Sequence, residues 1–132
     1  MVRGSIDTNI LLRFVLQDVP QQHQAVVQLL KRADSPLLLS DVAIVETAFV
    51  LERYYGLDRK SVIEALEVAM EQIELDCNQA LIENALFMYG SHPSLSIADC
   101  YLASKAMLDG REPLWTFDKK LANQAIAAKL LV

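Results

Sequence analysis

Apolar and polar positions along this chain switch between a helical period and short apolar runs, and the switches mark its elements. "VRGSI" predicts a strand over 2–6, and "NILLRFVLQD" a helix ending near Asp18. In "PQQHQAVVQLLKRAD" the apolar residues fall at 25, 26, 29, 30 and 33, a helical period. "PLLLS" reads as a buried parallel strand. "SDVAIVETAFVLERYYG" predicts a long helix capped by Ser40 or Asp41 and closed by Gly56. "DRKSVIEALEVAMEQ" is a further amphipathic helix, followed by the short strand "IELD". "NQALIENALFMYGSH" and "SIADCYLASKAMLDG" are helical, "PLWTF" is a strand, "DKKLANQAIAA" a short helix and "KLLV" a last strand. Pro20, Pro36, Pro93 and Pro113 all stand where an element begins or ends. Short strands alternating with one or two helices are the pattern of a parallel sheet wrapped by helices, so the expected class is α/β.

Composition narrows this only slightly. With 132 residues, no repeat and no linker, a single domain over 1–132 is expected. Hydrophobic residues make up 53% and charged residues 22%, the balance of a folded, soluble chain. No apolar run approaches the roughly 20 residues that cross a bilayer. Asp7 and Asn9 interrupt any apolar core of an export signal, so the expected compartment is the cytoplasm. Cys77 and Cys100 lack metal-ligand spacing and read as small buried hydrophobes. The net charge of −5 argues against a broad non-specific grip on nucleic acid. It leaves room for a nucleic-acid enzyme, because acids that hold divalent cations contribute negative formal charge.

Four acids stand out. Asp7 and Asp118 each follow a short apolar strand and precede a helix, where an acid can cap the helix or line a ligand site. Glu46 has Ala43 and Phe49 three residues away and Val42 and Val50 four away, so it is expected on an apolar, core-facing stripe. Asp99 shares its helical face with Leu95, Ser96, Leu102 and Ala103, with Ser94 or Ser96 as a cap and a dipole-favoured first-turn position as the plain alternative. In a wrapped parallel sheet, strand carboxyl ends and helix N-terminal turns share one edge. Four carboxylates converging there cannot all stay ionised without a cation, and hard oxygen donors suit Mg²⁺ or Mn²⁺. Such a centre activates water and neutralises charge on a phosphate. Thr8, Asn9, Ser96 and Thr116 flank the acids and could orient them or hold water. Capping and loop satisfaction are their ordinary alternative.

With those acids in place, the chain resembles the PIN-domain proteins, and among them the VapC type of toxin ribonuclease. "IDTNILLRFVLQDVP", "SDVAIVETAFVLERYYGLDR", "SIADCYLASKA" and "PLWTFDKKLA" resemble the family's successive blocks in order, across nearly the whole chain. The resemblance implies a three-layer α/β/α sandwich with a short-stranded, mainly parallel sheet. It implies a Mg²⁺- or Mn²⁺-dependent endoribonuclease with Asp7, Glu46, Asp99 and Asp118 as catalytic acids, and Asp7, Asp99 and Asp118 among them as metal ligands. It further implies a homodimer and a VapB-type antitoxin that blocks the site. Water attack would leave a 5′-phosphate and a 3′-hydroxyl.

One departure is visible: Cys100-Tyr101-Leu102 and Lys119-Lys120-Leu121 follow the third and fourth acids, where some members carry a further acid. Lys119 and Lys120 offer phosphate contacts, with Arg13 and Lys105 as weaker RNA-binding candidates. Trp115 and Phe117 read as core, with stacking of an aromatic near the site on a base as the alternative. Val45, Phe49, Tyr54 and Tyr55 are candidates for dimer and antitoxin contacts, with core packing as the competing use. Three rivals remain: a binding module with weak or no catalysis, a housekeeping RNA-processing nuclease, and a receiver-like phosphoacceptor domain. The last would need paired acids in the first loop, and Asp7 stands alone there.

Overall fold

Ser5–Ile6 forms the first strand, β1, which pairs in parallel with β2 (Leu37–Leu39); β2 pairs in parallel with β3 (Leu75–Asp76). The structure is a computed structural model and describes residues 2–132. The chain divides into two compact units, one running to Asn78 and the other from Gln79 to Val132.

In the first unit each crossover carries two helices: α1 (Thr8–Leu16) and α2 (Pro20–Arg32) before β2, then α3 (Asp41–Arg53) and α4 (Arg59–Gln72) before β3. Sheet order is β1-β2-β3, all parallel. Phe14, Val26 and Ala69 form a buried cluster, with Ile10, Val15, Val27, Leu30 and Ile73 packed against it. The second unit holds α5 (Gln79–Ser91), α6 (Ile97–Leu108), β4 (Leu114–Thr116), α7 (Lys119–Gln124) and β5 (Ala128–Leu130), with β4 and β5 parallel. There α5 packs on α6, and the buried Ser104 hydroxyl donates to Asn84 Oδ1 at 2.7 Å, which satisfies a polar group inside that interface. The α/β class with parallel strands is therefore as expected. Among the described residues no helix is long and apolar enough to cross a membrane.

Where the structure departs from the sequence reading, local chemistry explains it. The first strand shrinks from 2–6 to Ser5–Ile6: Gly4, at φ 141°, leaves extended geometry although its carbonyl still accepts the Leu38 N–H at 2.9 Å, and Val2 makes an isolated bridge to Ala33. Helix α1 stops at Leu16, where Gln17 turns left-handed at φ 54° and its N–H reaches Arg13 O. Gly110, at φ 67°, closes α6 with paired bonds from Gly110 N–H to Met107 O and from Arg111 N–H to Ala106 O.

Two readings of the core are overturned. Trp115 is 54% and Phe117 71% exposed: Trp115 lies under the ammonium of Lys129, its partner in the β4–β5 register, rather than inside. Cys77 is only half-buried; burial, followed by the nearby Asp76 and Asp41, pushes its thiol pKa up.

Asp58 caps α4, with Oδ1 accepting the Ser61 N–H at 2.8 Å. That bond holds its carboxyl below the usual aspartate range. A depressed folded-state pKa gives stability that is present above the unfolded value of about 3.9 and lost as pH falls through the folded value. Asn caps equally well and does not titrate there. In circular dichroism melts, the parent should lose melting temperature against Asp58→Asn below about pH 4. Parallel curves would remove Asp58 from the acid limb.

Candidate active site

The first acid is held by the junction that makes it. β1 ends at Ile6 and α1 begins at Thr8, so Asp7 must serve the open N–H groups of a first helical turn. It does so through Oδ1, which accepts the Ile10 N–H at 2.9 Å. The cap and the strand-end readings are thus both true of one side chain. One oxygen serves the helix, and the residue stays exposed.

Glu46 is the sixth residue of α3, and its surroundings correct the sequence reading. The buried stripe of α3 is Ala43, Ile44, Thr47, Ala48 and Leu51, whereas Glu46 is exposed beside Val42, itself 62% exposed. Both faces of this helix are apolar in sequence, so periodicity could not choose between them. Packing placed Thr47 inside, where its hydroxyl donates to Ala43 O at 2.7 Å and needs no other partner. A carboxylate has no such internal solution and goes to water.

Asp7 and Glu46 nevertheless meet. Both line an open cleft of about 690 Å³ within the first unit, together with Thr8, Asn9 and Arg13. Leu12 and Val50 form its apolar floor, and Tyr54 and Tyr55 complete the lining. The two tyrosines were not foreseen as part of it, although a signal existed. Glu46, Val50 and Tyr54 are spaced by four, which sets them along one helical stripe. Arg13 is engaged at this cleft rather than free: Nη1 donates to both Asp18 oxygens at 2.8 and 2.9 Å, and Nη2 donates to the Tyr55 hydroxyl at 3.1 Å. The Tyr55 bond first, and Asp18 with it, hold the guanidinium more firmly charged than usual.

In the second unit, α6 begins with Ser96 as N-cap, its Oγ accepting the Asp99 N–H at 3.1 Å. Asp99 is therefore a half-buried first-turn acid at the positive end of a helix dipole. Asp118 caps α7, with Oδ1 accepting from Lys120 N–H at 2.8 Å and Leu121 N–H at 3.2 Å. Thr116 Oγ1 in turn accepts the Asp118 N–H at 2.9 Å and fixes the turn. Lys119 and Lys120 are exposed, whereas Lys105 pairs with Asp109 at 2.9 Å. The Gln124 amide donates to the Ser94 hydroxyl and ties α7 to the segment before α6.

The donors around the cleft are carboxylate, hydroxyl and amide, an all-oxygen set that fits a hard divalent cation and not a soft one. Within either unit, no group of three or more His, Cys, Asp or Glu among the described residues lies close enough to hold a metal ion.

A match to the PIN domain family spans residues 5–127, which takes in all four acids. The chain belongs to the PIN domain family. No curated protein matches it. PIN domains are generally metal-dependent nucleases, and membership supports a hydrolase of that kind. The match begins two residues before Asp7 and ends nine residues after Asp118.

Because Glu46 of this PIN domain is exposed, Glu46→Leu should leave the melting temperature almost unchanged, within about 0.5 kcal/mol of stability. A larger loss in a denaturant melt would give Glu46 a structural bond. Removing the hydroxyl in Tyr55→Phe should cost about 0.5–1.5 kcal/mol at most, because Arg13 keeps Asp18. No change in the same melt would show the Arg13–Tyr55 bond to be energetically idle.

Proposed function

We propose that this PIN domain is an endoribonuclease of the VapC toxin type, dependent on Mg²⁺ or Mn²⁺ and neutralised by a cognate VapB-type antitoxin. The observation that carries the proposal is the cleft that Asp7 and Glu46 share with Thr8 and Asn9. A domain used only for binding has no need of two exposed carboxylates over a common cavity, one of them on an otherwise apolar helix face. The catalytic acids proposed are Asp7, Glu46, Asp99 and Asp118, with Asp7, Asp99 and Asp118 as the oxygen ligands. A divalent cation so held would supply a water of lowered pKa and offset charge on the phosphate.

The chain's own residues prepare for this. The helix caps lock Asp7 and Asp118 through one oxygen each, which fixes the orientation of the other. Lys119 and Lys120, exposed directly after Asp118, are placed by sequence to meet phosphate. Exposed Val42 and Phe49 on α3 and Val68 on α4 support an antitoxin or dimer surface on the first unit. An antitoxin segment laid over the cleft would compete directly with RNA. A cytoplasmic location fits a substrate of cellular RNA.

The test is cleavage of a structured RNA pool by purified protein with Mg²⁺, Mn²⁺ or EDTA. Cuts bearing a 5′-phosphate are expected with either cation and none with EDTA. Asp7→Asn should lose about 100-fold or more in rate while melting within about 0.5 kcal/mol of the parent, since Asn is an equal cap. Asp99→Asn should be equally inactive and lose about 0.3–1 kcal/mol of dipole stabilisation. No cleavage from antitoxin-free protein under any cation, or full activity in Asp7→Asn, would overturn the nuclease assignment.

A further inference from the structure

The cleft has an aromatic edge that the acids do not explain. Tyr54 and Tyr55 both line it, yet they are held differently. The Tyr55 hydroxyl is tied to Arg13, which is itself tied to Asp18, so that ring is fixed as part of the wall. Tyr54 is 78% exposed and directly precedes the turn at Gly56. Its contact is with another aromatic: Phe49 stands edge-on to it, 6.4 Å between centroids at 74°. The Arg53 guanidinium lies over the Phe49 ring, 5.9 Å from its centroid. An exposed phenol ring is thus propped in position by its own helix, four residues beyond Val50 and eight beyond Glu46 on one stripe.

We infer that Tyr54 is the base-stacking residue of the substrate site: its ring takes the face of an unpaired nucleobase next to the phosphodiester to be cut at the Asp7–Glu46 cleft. The inference rests on the nuclease reading above and adds a binding residue to it. Proteins that hold unpaired nucleic acid combine aromatic platforms with nearby cations, and every base offers a π-face. The edge contact with Phe49 restricts one side of the Tyr54 ring and leaves its open face to the solvent, which lowers the ordering cost of stacking. Arg53, the residue before Tyr54 and exposed over the Phe49 ring, adds a positive charge on the same aromatic edge. Tyr55, held by its hydroxyl, positions the wall and does not stack.

The experiment uses short oligoribonucleotides carrying 2-aminopurine, whose fluorescence falls on stacking, bound to Asp7→Asn protein with Mn²⁺ and without it. Adding Tyr54→Ala in that background should weaken binding about tenfold and abolish the quench, with Tyr54→Phe and Tyr54→Trp retaining both. In the active chain the loss should fall on KM far more than on kcat. A Tyr54→Ala protein that binds and quenches as its parent does overturns the assignment and leaves the ring to a protein contact. Loss of binding shared equally by Tyr54→Phe, at an unchanged melting temperature, overturns stacking in favour of a hydroxyl contact. If the parent chain cleaves RNA while Tyr54→Ala is unaffected, only this inference fails. If the parent neither binds nor cleaves RNA, the nuclease reading fails and takes this one with it.

Discussion

A helix that starts directly after a strand leaves amide N–H groups without partners, and the rest of this molecule is arranged around how those groups are satisfied. Two carboxylates do the work at β1–α1 and β4–α7, and a serine hydroxyl does it at the head of α6. Each cap is a local necessity. The two aspartate caps also stand at the carboxyl ends of parallel strands. An aspartate cap spends one oxygen on the backbone and keeps the other, so structure and chemistry share a side chain without competing for the same atom. The Ser96 cap leaves the Asp99 carboxylate out of the capping bond altogether.

Helix α3 shows a second way of freeing an acid. It carries apolar residues nearly all round, and only one stripe can be buried. Thr47 enters the core because its hydroxyl bonds to its own helix. Glu46 is thereby turned outward, next to Val50 and Tyr54, over the cleft it shares with Asp7. The same rotation leaves Val42 and Phe49 exposed. An apolar surface beside a charged cleft is thus a consequence of how one helix settled. It is also the surface that a partner or a substrate base can use.

Arginine chemistry at this cleft differs from what an isolated cation suggests. Arg13 could be read as a phosphate ligand from its charge alone, but one of its terminal nitrogens donates to both Asp18 oxygens and the other to the Tyr55 hydroxyl. It therefore stiffens the wall that Asp7 and Glu46 line. Lys119 and Lys120 remain exposed at the start of α7.

The order of helices and strands, the α/β class, the family blocks and the strand-end positions of Asp7 and Asp118 were legible in the sequence, because turn residues, caps and apolar period are local signals. The first strand was overestimated, since Gly4 leaves extended geometry through a backbone angle that periodicity does not register. The inward reading of Glu46 and the core readings of Trp115 and Phe117 failed for a common reason. Apolar neighbours in sequence show that a face could be buried, and only the supply of packing partners decides whether it is. The amino-acid order by itself determined which residues can cap, turn and carry charge. The tertiary structure decided which of two apolar stripes met the core, and so which acid and which tyrosine came to face the same cleft.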